Sequence, residues 1–178
     1  MAYFISCSGE KKCVSRENTK VSNLESLIGF PDLYEARLEL IELLNLKLNW
    51  NQTLPAYKLY NGKVFKKVTL ENWTKKDTRV IIVSALFGLI NHDEYIPDYN
   101  LIMTDKIPGT NKMISNFWKD KNIAHHVSND NDIDLLFSKY RKAFNRRGEI
   151  IANEPKILWR DKYGSHKGEW LNQQLNLL

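Results

Sequence analysis

The chain has 178 residues, of which 43% are hydrophobic and 26% charged, and carries a net charge of +5. This length predicts one domain that buries a core without staples, and the composition is that of a soluble globular protein. No apolar run approaches the roughly 20 residues that span a bilayer, two cysteines and four histidines make no zinc pattern, and the basic balance favours anionic partners such as nucleic acid.

Tyr3-Phe4-Ile5-Ser6-Cys7 reads as a first strand. Its charges follow a short apolar stretch, the wrong order for a secretory signal, so the cytoplasm and reduced Cys7 and Cys13 are expected. Ser8-Gly9-Glu10-Lys11-Lys12 is then a small basic turn. Its amides, hydroxyl and ammonium groups could hold an anion, although it lacks P-loop spacing and also suits an ordinary strand-ending turn. Lys12 to Gly29 reads as loop. A helix is expected from Pro31-Asp32, with Asp32 and Glu35 at capping-box spacing and Leu33, Ala36, Leu40, Leu44 and Leu48 on one face, widened by Leu38, Leu43 and Leu46.

Between Ala56 and Lys76 six lysines (Lys58, Lys63, Lys66, Lys67, Lys75 and Lys76) face one acid, Glu71. Asn61-Gly62 is a turn signal in this stretch, flanked by what reads as short helices, with a hairpin as the alternative. Amides and lysines around such a turn suit a phosphate backbone; a solvated basic hairpin is the plain alternative. Val80-Ile81-Ile82-Val83 is β-branched throughout, the pattern of a strand buried on both faces. It ends in Ser84-Ala85 and Phe87-Gly88-Leu89, then a polar loop through Asp93, Glu94, Pro97, Asp98 and Tyr99. The end of a buried strand is where α/β proteins usually place a site. Gly88 is expected to adopt a conformation closed to other residues, or to pack closely, with Phe87 and Leu89 as anchors. Tyr99→Phe is expected to leave folding nearly unchanged.

Thr110 is expected to cap a helix that turns Met113, Ile114, Phe117 and Trp118 inward. Asp130 or Asn131 would cap another, with Ile133, Leu136, Tyr140 and Phe144 at helical spacing and Gly148 at its end. There Arg146 and Arg147 suit the helix dipole as well as they suit nucleic acid. Ile150-Ile151 and Ile157-Leu158-Trp159 read as short strands, and Glu169 to Leu178 as an amphipathic helix using Trp170, Leu171, Leu175 and Leu178. His125 and His126, adjacent on a helix, would diverge by about 100° and are not expected to share a metal. No metal site and no cofactor is expected.

Pro55-Ala56 with Tyr60-Asn61-Gly62-Lys63-Val64-Phe65, Ser84-Ala85-Leu86-Phe87-Gly88-Leu89, Tyr99-Asn100-Leu101-Ile102-Met103, Lys106 and Phe117-Trp118-Lys119-Asp120-Lys121 occur in an order and at intervals that resemble the YaaA peroxide-stress family. Ile5-Ser6-Cys7-Ser8 with Lys11 or Lys12, and Gly168-Glu169-Trp170-Leu171, are similar to a smaller relative family. The resemblance implies an α/β fold: one compact domain over residues 1–178, with a small mixed central sheet surrounded by helices. It also implies a helix-hairpin-helix-like element over Pro55 to Val68, double-stranded DNA binding, and protection against hydrogen peroxide associated with lower free iron. A more distant resemblance reaches enzymes that modify 7-deazaguanine bases.

Two functions follow as expectations. The first is sequence-independent DNA binding through Lys58, Asn61, Gly62, Lys63, Lys66 and Lys67. The second is a nucleobase- or nucleotide-modifying enzyme whose pocket lies between Cys7-Ser8 and Ser84-Ala85. Lys11, Lys12, Tyr99 and Lys106 would supply cations and hydrogen bonds there, and Cys7 is either a nucleophile or a buried small residue.

Overall fold

The computed structural model describes residues 1–13, 19–77, 79–127, 131–155 and 164–178. Its elements are β1 (Tyr3–Ser6), α1 (Tyr34–Leu43), β2 (Thr53–Pro55), α2 (Ala56–Leu59), α3 (Leu70–Thr74), β3 (Val80–Ser84), β4 (Gly88–Asn91), β5 (Tyr95–Pro97), α4 (Ile114–Asp120), β6 (Ile133–Asp134), α5 (Ser138–Arg141) and α6 (Gly164–Asn176). Single 3₁₀ turns lie at Leu24–Ser26, Pro31–Leu33, Phe65–Lys67 and Ile123–His126. Among the described residues no helix is long and apolar enough to cross a membrane.

A four-stranded mixed sheet runs β4-β3-β1-β6, with β1 parallel to β3 and β6, and β3 antiparallel to β4. β2 and β5 form a separate antiparallel pair, Leu54 opposite Ile96. The two central strands are apolar along their length because both faces are covered. Successive side chains of a strand point to opposite faces. Thus Tyr3 meets Trp170 of α6 edge-on, while Phe4 meets Phe144 beyond α5.

Several sequence expectations change. The polar stretch after Phe87 is not all loop: β3 turns back through Ala85-Leu86-Phe87 into β4, with Ser84 opposite Gly88. Ile133 belongs to β6 beside Tyr3, not to a helix, so the helix there shrinks to the four residues of α5. A partner strand for β1 outweighed the helical period of Ile133, Leu136, Tyr140 and Phe144. Asp130 and Ile157-Leu158-Trp159 lie outside the described residues. Ile150-Ile151 forms no strand; the nearest pairing is a single bridge between Ile133 and Asn153. The capping box at Asp32 and Glu35 is absent, since the N-cap of α1 is Leu33, one residue later, and makes no side-chain cap. Thr110 hydroxyl donates to the Ile107 carbonyl instead of capping α4. Met113, Leu43 and Leu178 are exposed rather than inward.

Candidate functional site

Parallel pairing of β1 with β3 places the site. Ser6 pairs with Val83 and the Cys7 amide donates to the Val83 carbonyl at 3.0 Å, so Cys7 and Ser84 leave the sheet side by side at its carboxyl end. Tyr99, just beyond β5, reaches them. Its hydroxyl lies 2.6 Å from that of Tyr60 and 2.8 Å from Ser84 Oγ, and donates to Cys7 Sγ at 3.9 Å. The Cys7 thiol donates in turn to Tyr140 Oη at 3.5 Å, and Ser84 Oγ accepts from the Phe87 amide at 3.1 Å. Lys11 Nζ sits 4.3 Å from the centre of the Tyr99 ring, a cation–π distance. Cys7, Ser84 and Tyr99 thus meet, as the sequence suggested, and Lys11 joins them. Lys12 lines a different cavity, and Lys106 is exposed, its backbone bridging Met113.

Burial decides the charge state of this network. Desolvation pushes the hydroxyls of Tyr60, Tyr99 and Tyr140 above the usual tyrosine range, so all three stay neutral donors and acceptors. Desolvation also lowers the Lys11 ammonium, opposed by Cys7 and Asp98.

The basic segment adjoins this network. Lys11 pairs with Tyr60 in an antiparallel bridge, and the Asn61 amide donates to the Glu10 carbonyl at 2.9 Å. Asn61 Nδ2 donates to the Glu10 carboxylate at 3.0 Å, and Lys66 binds the same oxygen at 2.6 Å. A Cβ on Gly62 would lie 2.5 Å from Ser8 Oγ, so glycine is needed here for close packing of the two loops. Lys58, Lys63, Lys66 and Lys67 are exposed, with Lys67 paired to Glu169 of α6 at 2.7 Å. A helix-hairpin-helix is not seen over Pro55 to Val68. α2 is four residues long and is followed by the single 3₁₀ turn Phe65–Lys67. α6 presses on that turn through Gly168, where a Cβ would lie 2.5 Å from the Val64 carbonyl oxygen.

Two cavities flank Phe65. One of about 730 Å³ is lined by Lys12, Lys58, Lys66, Tyr57 and Trp73 among others. The other, about 270 Å³, is lined by Ser6, Cys7, Ser8, Gly62, Lys63 and Phe137 among others. Sequence reasoning passed over Tyr60 and Tyr140 as site residues. Tyr140 carried a signal: it is the one hydroxyl in the stripe Ile133, Leu136, Tyr140 and Phe144. It also passed over Arg37, wholly buried in α1.

The adjacent histidines do not diverge. The Ile123–His126 turn brings both rings, 3.8 Å apart, onto Asp32.

The sequence profile of the family described as peroxide stress protein YaaA matches residues 14–162. UPF0246 protein FN1762 of Fusobacterium nucleatum is 33% identical over 110 residues, 56% of this chain and 43% of that protein. UPF0246 protein SAG2081 of Streptococcus agalactiae is 26% identical over 130 residues, 70% of this chain and 53% of that one. The Streptococcus uberis protein SUB1767 is 28% identical over 98 residues, 52% and 40%. The chain spans about half the length of the curated relatives it matches. With most of its length under one family profile, this chain belongs to the YaaA peroxide-stress family.

Proposed function

We propose that the chain binds double-stranded DNA, largely without regard to sequence, and protects against peroxide stress in the cytoplasm. The carrying observation is the exposed set Lys58, Lys63, Lys66 and Lys67 around the two cavities, against few acids. Phosphate is the chemistry that lysines on short turns recognise, and it carries no base sequence. The pairs Lys66–Glu10 and Lys67–Glu169 are exposed, so they are worth little and a phosphate can displace them. Four phosphate contacts predict that affinity falls about 100-fold between 50 and 200 mM salt. A gel shift on duplex DNA should show that dependence and should vanish when all four lysines become glutamate. Binding that survives the charge reversal, or ignores salt, removes the reading.

A second reading rests on a separate observation, the meeting of Cys7, Ser84 and Tyr99, of which Cys7 lines the smaller cavity while Ser84 and Tyr99 lie buried behind it. It makes this end of the sheet a nucleobase or nucleotide pocket. Tyr99→Phe tests it with two readouts. Because the Tyr99 hydroxyl joins Tyr60 to Ser84, its loss should cost about 1–2 kcal/mol of stability. This differs from the sequence expectation of unchanged folding, because Tyr99 is part of the core. Nucleotides should raise the melting temperature of the unsubstituted protein and not of the variant; no rise in either excludes the pocket.

A further inference from the structure

Asp32, His125 and His126 stand apart from the cavities and the lysine face. Asp32 lies in the 3₁₀ turn Pro31–Leu33 ahead of α1, and both histidines in the turn Ile123–His126 that follows α4. Since α1 takes no cap from Asp32, that carboxylate is free to face the histidines. Asp32 Oδ2 lies 3.4 Å from His125 Nε2 and 3.0 Å from His126 Nε2. The three ligand atoms lie within 4.8 Å of one another.

We propose that these three residues form a binding site for a divalent transition-metal ion of the zinc class. Two donors each about 2.0–2.1 Å from a tetrahedral ion sit about 3.3 Å apart, close to both measured separations. Two imidazole nitrogens and one carboxylate oxygen are a donor set for borderline ions such as Zn(II) or Co(II), not for magnesium or calcium.

A second observation points the same way. His125 Nδ1 lies 2.6 Å from the Asn122 carbonyl oxygen. A carbonyl only accepts, so Nδ1 carries the proton, and in the neutral ring Nε2 carries the lone pair. In that tautomer the lone pair faces the Asp32 carboxylate, acceptor against acceptor, and either a proton or a metal cation between them resolves the contact. Holding the remote ring nitrogen on a carbonyl is how metal-binding histidines are commonly oriented. Asn122 makes this contact from a left-handed conformation, φ 55°, which asparagine tolerates better than most residues. Phe30 packs edge-on against His126, 4.9 Å between ring centres, and fixes the second ligand. Arg37 is the nearby charge that opposes a cation. Together with the half-exposed His125 and Asp32, it makes this an exchangeable site, with at least one coordination position left to water or a ligand. A bound ion would tie two turns more than 90 residues apart in sequence, Asp32 to His125.

Titration of the metal-free full chain with Zn(II) and with Co(II) tests the site. One ion per chain is expected, with a rise in melting temperature that a chelator reverses. The Co(II) form should show visible bands of a nitrogen- and oxygen-bound ion and no thiolate charge-transfer band. His125→Ala and Asp32→Asn, both at exposed positions, should melt as the metal-free protein does and weaken binding by roughly 100-fold or more, since even outer partners of such ligands are worth 10–100-fold. Cys13→Ser, a control for the exposed thiol, should leave binding unchanged. No uptake, uptake that survives both ligand substitutions, or a thiolate band lost with Cys13→Ser would each overturn the proposal.

Discussion

Gly88→Val is expected to destabilise the fold by about 3–5 kcal/mol, a large share of the 5–15 kcal/mol that holds a typical domain together. Two effects add. Gly88 has φ +70°, a left-handed conformation that costs a side-chain-bearing residue roughly 1–2 kcal/mol and a β-branched one more. A Cβ there would also lie 2.8 Å from the Trp118 ring. That ring cannot step aside: it is wholly buried, and its Nε1 donates to the Ala85 carbonyl at 2.8 Å. Overpacking against such a wall adds about 1–3 kcal/mol. Urea denaturation of the two proteins measures the difference. A loss under 1 kcal/mol would mean that the β3–β4 turn relaxes freely and does not position Ser84.

The other large effect is expected at Arg37. Its guanidinium is wholly buried and donates to three backbone carbonyls: Nε to Phe87 at 3.0 Å, Nη1 to Leu27 at 2.9 Å and Nη2 to Leu89 at 2.8 Å. Burial pulls its pKa down to about 10, so it remains charged at neutral pH. Arg37→Met keeps the stem and deletes the donors. It leaves three buried acceptors unpaired and should cost about 3–5 kcal/mol. The loss should also depend on pH through Glu94, which accepts from the amides of Gly29 at 2.8 Å and Asn91 at 2.7 Å. Burial raises the Glu94 carboxyl above its usual 4.5, against the lowering effect of those amides and of Arg37. A raised folded-state pKa favours the protonated fold, so that stability is full below the unfolded value and is lost as pH rises through the folded one. Without Arg37 the Glu94 pKa rises further. The variant should therefore lose more stability at pH 7.5 than at pH 4, compared by denaturant midpoint at each pH. An equal loss at both would separate Glu94 from Arg37.

What the sequence disclosed follows from how local each signal is. The apolar runs of β1 and β3 are visible because both faces of a central strand are buried, and parallel pairing then makes Cys7 and Ser84 neighbours. Gly88 was visible for the same reason, at the edge of such a run. Tyr60 and Tyr140 were hidden because an aromatic on an apolar stripe reads as core until the fold shows where its hydroxyl points. Arg37 was hidden because a basic residue in a helix reads as solvated, and its three carbonyl partners come from two distant segments. The histidine pair misled because the divergence expected of an α-helix does not apply to side chains that turn toward one carboxylate from a short 3₁₀ turn. β6 was misread because two residues leave no period to count.

The order of the strands has a consequence for synthesis. Tyr3 pairs with Val80 on one side and Ile133 on the other, so the contacts that bury β1 are of high sequence separation. At roughly 5–20 residues per second, a ribosome needs about 4–15 s after making β1 to make its first neighbour. During that interval Phe4 and Ile5, wholly buried in the finished protein, have no sheet to enter. Such topologies fold slowly because loop closure is paid before the long-range contacts return it. The apolar side chains of β1 therefore stay without their final neighbours until the centre of the sheet has been made.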